Sequence, residues 1–250
     1  MELDLTDRVV LLTGAAGGIG RASTKLLVES GAYVVCVDRD GESLESLVDL
    51  VPADRLKLLA MDLSGADAAA EVLKKALEWH DRLDVLVHMS AMMQALQLDE
   101  VTEEHWQNHM EVNVSSTFFL ARGAAESMKS RSIPGRLILM SSGAWLSGGM
   151  STRLPYATSK GAVTTMSRGL AKAYGPHGIT VNAIAPGLID TAMMRSGLSD
   201  VDRRTMEDAT PLKRFGTPEE VAAVVVFLAS DAASFISGAT INVSGGFTLY

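Results

Sequence analysis

Seven short, almost uninterrupted apolar runs recur along the chain, and longer helix-forming stretches separate them. The runs are RVVLLTG (8–14), YVVCVD (33–38), RLKLLAMD (55–62), RLDVLVHMS (82–90), GRLILMSS (135–142), GITVNAIAPG (178–187) and ATINVSGG (239–246). A strand that is apolar at nearly every position is buried on both faces, the pattern of a parallel sheet between two helix layers. The intervening segments, such as ADAAAEVLKKALEWH (66–80) and TPEEVAAVVVFLAS (217–230), have helical composition. Strand and helix in alternation make βαβ units throughout. With no linker, repeat or low-complexity segment, residues 1–250 are predicted to form a single α/β domain. Its core is a doubly wound, mostly parallel seven-stranded sheet with helices on both faces.

Charge and composition narrow the function. A net charge of −8 argues against nucleic acid, whose phosphates require a basic face. The 47% apolar and 21% charged content is that of a soluble globular protein. The N-terminal MELDLTDRVV lacks a basic leader region, and the longest apolar run, Val221–Ala229, is far too short to cross a bilayer. A cytoplasmic protein without membrane partners is expected. The single Cys36 allows no internal disulfide and reads as a buried, inert thiol. The histidines at 80, 88, 105, 109 and 177 have no metal-ligand spacing, and no metal is expected.

In a doubly wound sheet, ligands bind beyond the carboxyl ends of the strands, so the residues that follow each strand carry the functional signal. After the first strand comes TGAAGGIG (13–20), with Gly14, Gly17, Gly18 and Gly20 opening a helix. Such a turn lets the backbone approach a pyrophosphate, which the helix N-terminus then holds. Asp38 ends the second strand, 18 residues after Gly20. An acid there accepts the adenosine ribose hydroxyls and repels a 2′-phosphate, which predicts NAD over NADP. Arg39 beside it is the competing signal, since it could pair a 2′-phosphate or stack on adenine.

The segment LPYATSKGA (154–162) places Tyr156 and Lys160 four residues apart, on one face of a helix. A free phenol, with a pKa of about 10, is a poor base near neutrality. Two unit charges 4 Å apart at an effective dielectric of about 20 interact by roughly 4 kcal/mol. A lysine at that distance would lower the phenol by about three pH units.

TGAAGGIG together with YATSK resembles the short-chain dehydrogenase/reductase family, and the resemblance covers essentially the whole chain. It implies a Rossmann fold and hydride exchange between a nicotinamide cofactor and an alcohol or ketone. It also implies that Tyr156 is the general acid/base and Lys160 its electrostatic partner, which reaches the cofactor ribose. By the same resemblance Asn113 in EVNVSS holds a proton-relay water, and the serine ending GRLILMSS binds the substrate oxygen. That serine is Ser142, with Ser141 as the alternative; Ser142 to Tyr156 spans fourteen residues, one more than is usual in the family. The implied cofactor residues are Gly14, Gly18, Ile19 and Gly20 in the first turn, Asp38 and Arg39, and Asp62 and Leu63 at the adenine. Ser90 and Ala91 would lie along the ribose, and Pro186, Gly187, Ile189 and Thr191 at the nicotinamide.

Two stretches depart from the family pattern. HMSA (88–91) replaces the usual Asn-Asn-Ala-Gly, so His88 and Met89 imply either a repacked sheet interior or an altered cofactor affinity. Ser244 stands where an aspartate is common. For the substrate pocket the candidates are Met92, Met93, Gln94, Trp145, Leu146, Met150, Met193 and Met194, an apolar and adaptable set. Arg153 and Arg195 are candidate carboxylate ligands. The implied activity is that of an NAD-dependent alcohol dehydrogenase or ketone reductase. A 3-oxoacyl-thioester reductase is the alternative within the family, and a nonenzymatic dinucleotide sensor the alternative outside it. Family members commonly form homotetramers or homodimers through the helices after the fourth and fifth strands, a role that 156–174 could serve here.

Overall fold

The computed structural model describes residues 3–149, 151–195 and 199–249. The apolar runs become β1 (Val9–Thr13), β2 (Tyr33–Asp38), β3 (Leu56–Ala60), β4 (Val85–His88), β5 (Arg136–Met140), β6 (Thr180–Pro186) and β7 (Thr240–Val243). They form one sheet in the order β3-β2-β1-β4-β5-β6-β7, and every ladder between these strands is parallel. The helices are α1 (Gly18–Glu29), α2 (Gly41–Glu45), α3 (Gly65–His80), α4 (Glu103–Met110), α5 (Ser116–Ser130), α6 (Ala144–Ser147), α7 (Leu154–Tyr174), α8 (Ala192–Arg195), α9 (Asp200–Ala209) and α10 (Pro218–Ala229).

Alternation along each strand divides the core in two. Val10, Leu12, Val85, Val87 and Ile138 face one layer, with Leu27 of α1 and Val221 and Val225 of α10. Leu11, Leu86, Leu137 and Leu139 face the other, with Val72 of α3, Leu120 of α5, and Val163 and Leu170 of α7. Each such leucine, sealed from water, contributes about 1.5–3 kcal/mol, which is why a strand used on both faces must be apolar throughout. Cys36 lies inside the first layer, and burial pushes its thiol up to about 12, as expected of an inert residue.

The sheet reverses its winding between β1 and β4, where Thr13 and His88 are paired in register. Ligands of open α/β sheets lie outside the strand ends at this switch point. The glycine-rich turn, the HMSA segment and the start of α7 all follow strands that end there. Between α4 and α5 the chain makes a π-helical turn, Glu111–Ser115. Such turns widen a helix locally and recur at functional sites. No helix among the described residues is long and apolar enough to cross a membrane.

Candidate active site

The turn after β1 has the shape of an anion cradle. Gly14 has φ +71, and a Cβ there would lie 3.0 Å from the backbone of Met89 and Ser90. At Gly20 a Cβ would stand 2.0 Å from the Gly14 carbonyl oxygen, so the first turn of α1 closes only around glycine. Gly17 and Gly18 are open to solvent, Ile19 packs on the core, and the N-terminus of α1 points out of the turn. This fits a dinucleotide pyrophosphate, held by backbone N–H groups and the helix dipole.

Asp38 sits at the end of β2, where the Ala16 N–H donates to its carboxylate at 3.0 Å. The acid is thereby fixed against the glycine turn. Arg39 is exposed and leans electrostatically toward Asp62 rather than standing free. Asp62 accepts hydrogen bonds from the Ser64 amide (2.9 Å) and hydroxyl (2.7 Å), which hold its carboxyl below the usual range, and Leu63 is buried beside it. Across the sheet, Thr191 packs where a Gly18 Cβ would stand, 3.2 Å from its methyl. The Pro186–Gly187 turn and the first turn of the chain therefore close on one cleft. Gly187 and Ile189 are tied to neighbouring backbone at Val243 and Gly216. Ser244 hydrogen-bonds Thr248 and so closes the turn after β7.

The proposed catalytic side chains converge at the start of α7. The Ser142 hydroxyl lies close enough to the Tyr156 phenol to pull its pKa down. The Ala144 amide donates to Ser142 Oγ at 3.2 Å, which leaves the serine proton free for the phenol. Ser141 points the other way: it is buried, and its hydroxyl donates to the Lys160 carbonyl at 3.0 Å and lies 2.8 Å from Thr164 Oγ1. Period-two alternation separates the two serines, and Ser142 is the one that meets Tyr156.

Lys160 is 3% exposed, with Nζ 5.6 Å from the centre of the Tyr156 ring and donating to the Met140 carbonyl at 2.8 Å. Burial lowers its pKa to about 8. The expected lowering of Tyr156 by Lys160 is not what this geometry gives. Burial outweighs the charges and raises the phenol, and the two effects pulling it down are the Ser142 hydroxyl and the Arg153 cation. The sequence reading considered Arg153 only as a carboxylate ligand. Its place three residues before Tyr156, one helical turn away, was the available signal for a charge beside the phenol.

Asn113 lies in the π-helical turn, and its side chain is fully engaged by protein groups. It accepts from the Met92 amide at 2.8 Å and donates to the Met92 carbonyl and Ser159 Oγ, each at 2.9 Å. Ser159 in turn donates to the Tyr156 carbonyl at 2.7 Å. Asn113 therefore joins the segment after β4 to the Tyr156 turn, and its amide has no donor left for a relay water. Ser159, the residue before the lysine, is a member of this network that the sequence reading missed.

The HMSA segment is built into the sheet. His88 is 2% exposed and lies 2.8 Å from Thr13 Oγ1; its Nε2 has no partner, and burial, followed by the Lys160 charge, takes its pKa down to about 3. Thr13 also receives the amides of Met89 and Ser90. Ser90 and Ala91 thus keep their backbone beside the glycine turn without the family's asparagines.

Of the pocket candidates, Met92 and Met93 are half-buried beside Asn113, and the Gln94 amide donates to His109 Nε2 at 3.3 Å. Leu146 is 44% exposed. The Trp145 ring lies under the Arg168 guanidinium at 5.8 Å, on the flank of α7. Arg168 is eight residues past Lys160, so the indole packs along the helix rather than over the Tyr156 oxygen. Met194 is half-buried on α8. Met150 and the Met193 side chain lie outside the described residues.

A family model described as enoyl-(acyl carrier protein) reductase matches residues 14–248. The NAD-dependent glycerol dehydrogenase of Listeria innocua serovar 6a is 32% identical over 99% of this chain and 96% of its own. The 3-oxoacyl-[acyl-carrier-protein] reductase of Thermotoga maritima is 35% identical over 98% of this chain and 99% of its own. A solved structure from Brucella melitensis, titled short-chain dehydrogenase/reductase SDR:glucose/ribitol dehydrogenase, superposes with a TM-score of 0.90. It is 32% identical, with both chains fully covered.

Proposed function

The chain belongs to the short-chain dehydrogenase/reductase family, and from that membership we propose that it interconverts a secondary alcohol and a ketone with NAD(H), using Tyr156 as general acid/base. The observation that carries this reading is the convergence on the Tyr156 ring of the Ser142 hydroxyl, which acts on the phenol, and the buried Lys160, whose Nζ lies 5.6 Å from the ring centre.

A bound nicotinamide would supply the hydride chemistry, and the glycine turn, Asp38, Lys160 and Thr191 are the residues suited to hold it. The substrate oxygen sits between the Ser142 hydroxyl and the phenol. In reduction, both hydroxyls donate to the carbonyl oxygen, and Tyr156 gives it a proton as negative charge develops there. In oxidation, the phenolate accepts the alcohol proton, a form that Arg153 and Ser142 stabilise. Lys160 keeps a cation near the phenol only while protonated, and its pKa of about 8 makes that charge sensitive to pH. The Asn113–Ser159 network holds the Tyr156 turn against the segment after β4, which fixes the angle of the phenol.

NAD is favoured over NADP because Asp38 is anchored at the position of the adenosine ribose, where a desolvated carboxylate facing a phosphate is costly. A second reading, reduction of 3-oxoacyl thioesters, is favoured by the Thermotoga maritima relative. A homo-oligomer is part of the proposal, supported by the exposed Trp106 of α4 and Phe118 of α5.

The test is a screen of purified protein against secondary alcohols, ketones and 3-oxoacyl thioesters with each cofactor. NAD(H)-linked turnover of alcohols and ketones, abolished in Tyr156→Phe, supports the reading. Turnover of thioesters alone, with NADPH, supports the second.

A further inference from the structure

Arg153 is the one arginine among the described residues that has a nitrogen sealed from solvent and no hydrogen-bond or ion-pair partner. Its Nε is buried and unpartnered. Arg136 also has an unpartnered Nε, but its other nitrogens bond Pro134, Gly135 and Asp231. A desolvated donor without an acceptor is costly and rare in a native fold. Arg195, which looks equivalent in sequence, is already satisfied: its Nε donates to Asp190 at 2.7 Å, and Arg203 pairs with the same acid.

The place of Arg153 is as informative as its lack of a partner. It immediately precedes α7, one turn before Tyr156, close enough for its charge to act on the phenol. Its backbone is fixed, because the preceding Thr152 carbonyl accepts the Leu96 amide at 2.9 Å. A guanidinium whose charge reaches the phenol, with no acid among the described residues paired to it, is preorganised for a planar oxyanion.

We propose that Arg153 is the substrate-recognition residue of this site and that the substrate is a short oxo acid or its hydroxy acid, whose carboxylate pairs with the Arg153 guanidinium while its carbonyl or hydroxyl oxygen lies between Ser142 and Tyr156. This rests on the oxidoreductase reading of the same site. It makes the ketone of that reading an anionic one and leaves Met92 and Met93 to surround the carbon chain.

The experiment compares 2-oxo, 3-oxo and 4-oxo acids of four or five carbons with their methyl esters, reduced with NADH or NADPH by wild type, Arg153→Gln and Arg153→Lys. Any effect of Arg153 on the phenol is common to acid and ester and cancels in the ratio of their kcat/KM values. Wild type is expected to prefer at least one acid over its ester. Arg153→Gln should lose that preference by roughly 10- to 100-fold, the worth of charge-assisted hydrogen bonds. The loss should lie mainly in KM, with partial recovery in Arg153→Lys. A ratio unchanged in Arg153→Gln, a wild-type preference for the esters, or reduction of none of these ketones by a protein that binds cofactor overturns the proposal and spares the cofactor site. Failure to bind either cofactor overturns instead the reading on which it rests.

Discussion

The Thr13 hydroxyl lies 2.8 Å from His88 Nδ1 and also accepts the backbone N–H groups of Met89 at 3.2 Å and Ser90 at 3.3 Å. With its lone pairs engaged by two amides, the hydroxyl has only its proton to offer, so it donates to Nδ1. His88 is therefore the neutral imidazole with its proton on Nε2. The pair does the work of the family's asparagine pattern by a different route. It ties β1 to β4 at the switch point and sets the backbone of Ser90 beside Gly14.

This gives a pH signature. The His88 pKa is about 3 in the folded chain, against about 6.5 in an unfolded one. Between those values the unfolded state binds more protons, so stability rises with pH across the window and is lost as pH falls through it. His88→Asn should be less stable than wild type near neutrality, by about 1–3 kcal/mol for the disturbed hydrogen bond and packing. Its melting temperature should then fall less steeply on acidification. Parallel acid profiles of the two proteins, measured by thermal unfolding, would remove His88 as the source.

Tyr156→Phe deletes the phenol oxygen and keeps the ring. Turnover should fall by a factor of at least about 100, the usual contribution of a positioned acid or base, while cofactor-induced stabilisation persists. Because burial holds the phenol above its ordinary value, oxidation in the wild type should accelerate toward alkaline pH and reduction should not. A variant with near-normal kcat would show that another group moves the proton.

Asp38→Ala removes the acid that the Ala16 amide anchors. The expected outcome is weaker NADH binding and stronger NADPH binding, with the preference displaced by about tenfold or more once no carboxylate at 38 repels a 2′-phosphate. Titration of cofactor fluorescence reads both affinities. An unchanged ratio would mean that the selector lies elsewhere.

Gly20→Ala places a methyl 2.0 Å from the Gly14 carbonyl oxygen, so the turn must open. Dinucleotide binding and several degrees of melting temperature should be lost together. Gly169→Ala is the control: the site is exposed, within α7, with nothing within 4 Å of the new methyl. It should be stabilising by about 0.5–1 kcal/mol through lost backbone entropy in the unfolded chain.

The order of strands and helices was legible because burial on both faces forces a continuous apolar run, a signal that survives without any knowledge of partners. The runs overshot the strands at their ends. In RLDVLVHMS the first residues form an ion pair, Arg82 to Asp84, and β4 begins only at Val85. The positions of Ser142 and Tyr156 were legible from the family motifs, but that Ser141 turns away to the Lys160 carbonyl and Ser142 toward the phenol is seen only in the folded chain. The charge on the phenol was not legible. It depends on how burial competes with the Ser142 hydroxyl and with the Arg153 cation three residues before Tyr156, while Lys160 four residues after it does not enter. That balance follows from desolvation in the folded chain rather than from spacing. Asn113 shows the same limit: its position was legible, but its engagement with Met92 and Ser159 depends on a loop and a helix distant in sequence.

The most direct test of the account is thermal unfolding of the wild-type protein with NADH and, separately, with NADPH, which requires no knowledge of the substrate. A ligand at about 100 times its Kd adds roughly 2.7 kcal/mol, and each kcal/mol moves Tm by about 2–4 °C at this size. The account expects a rise of several degrees with NADH and a much smaller one with NADPH. A rise with NADPH alone would contradict the role given to Asp38, and no rise with either would contradict the dinucleotide site itself.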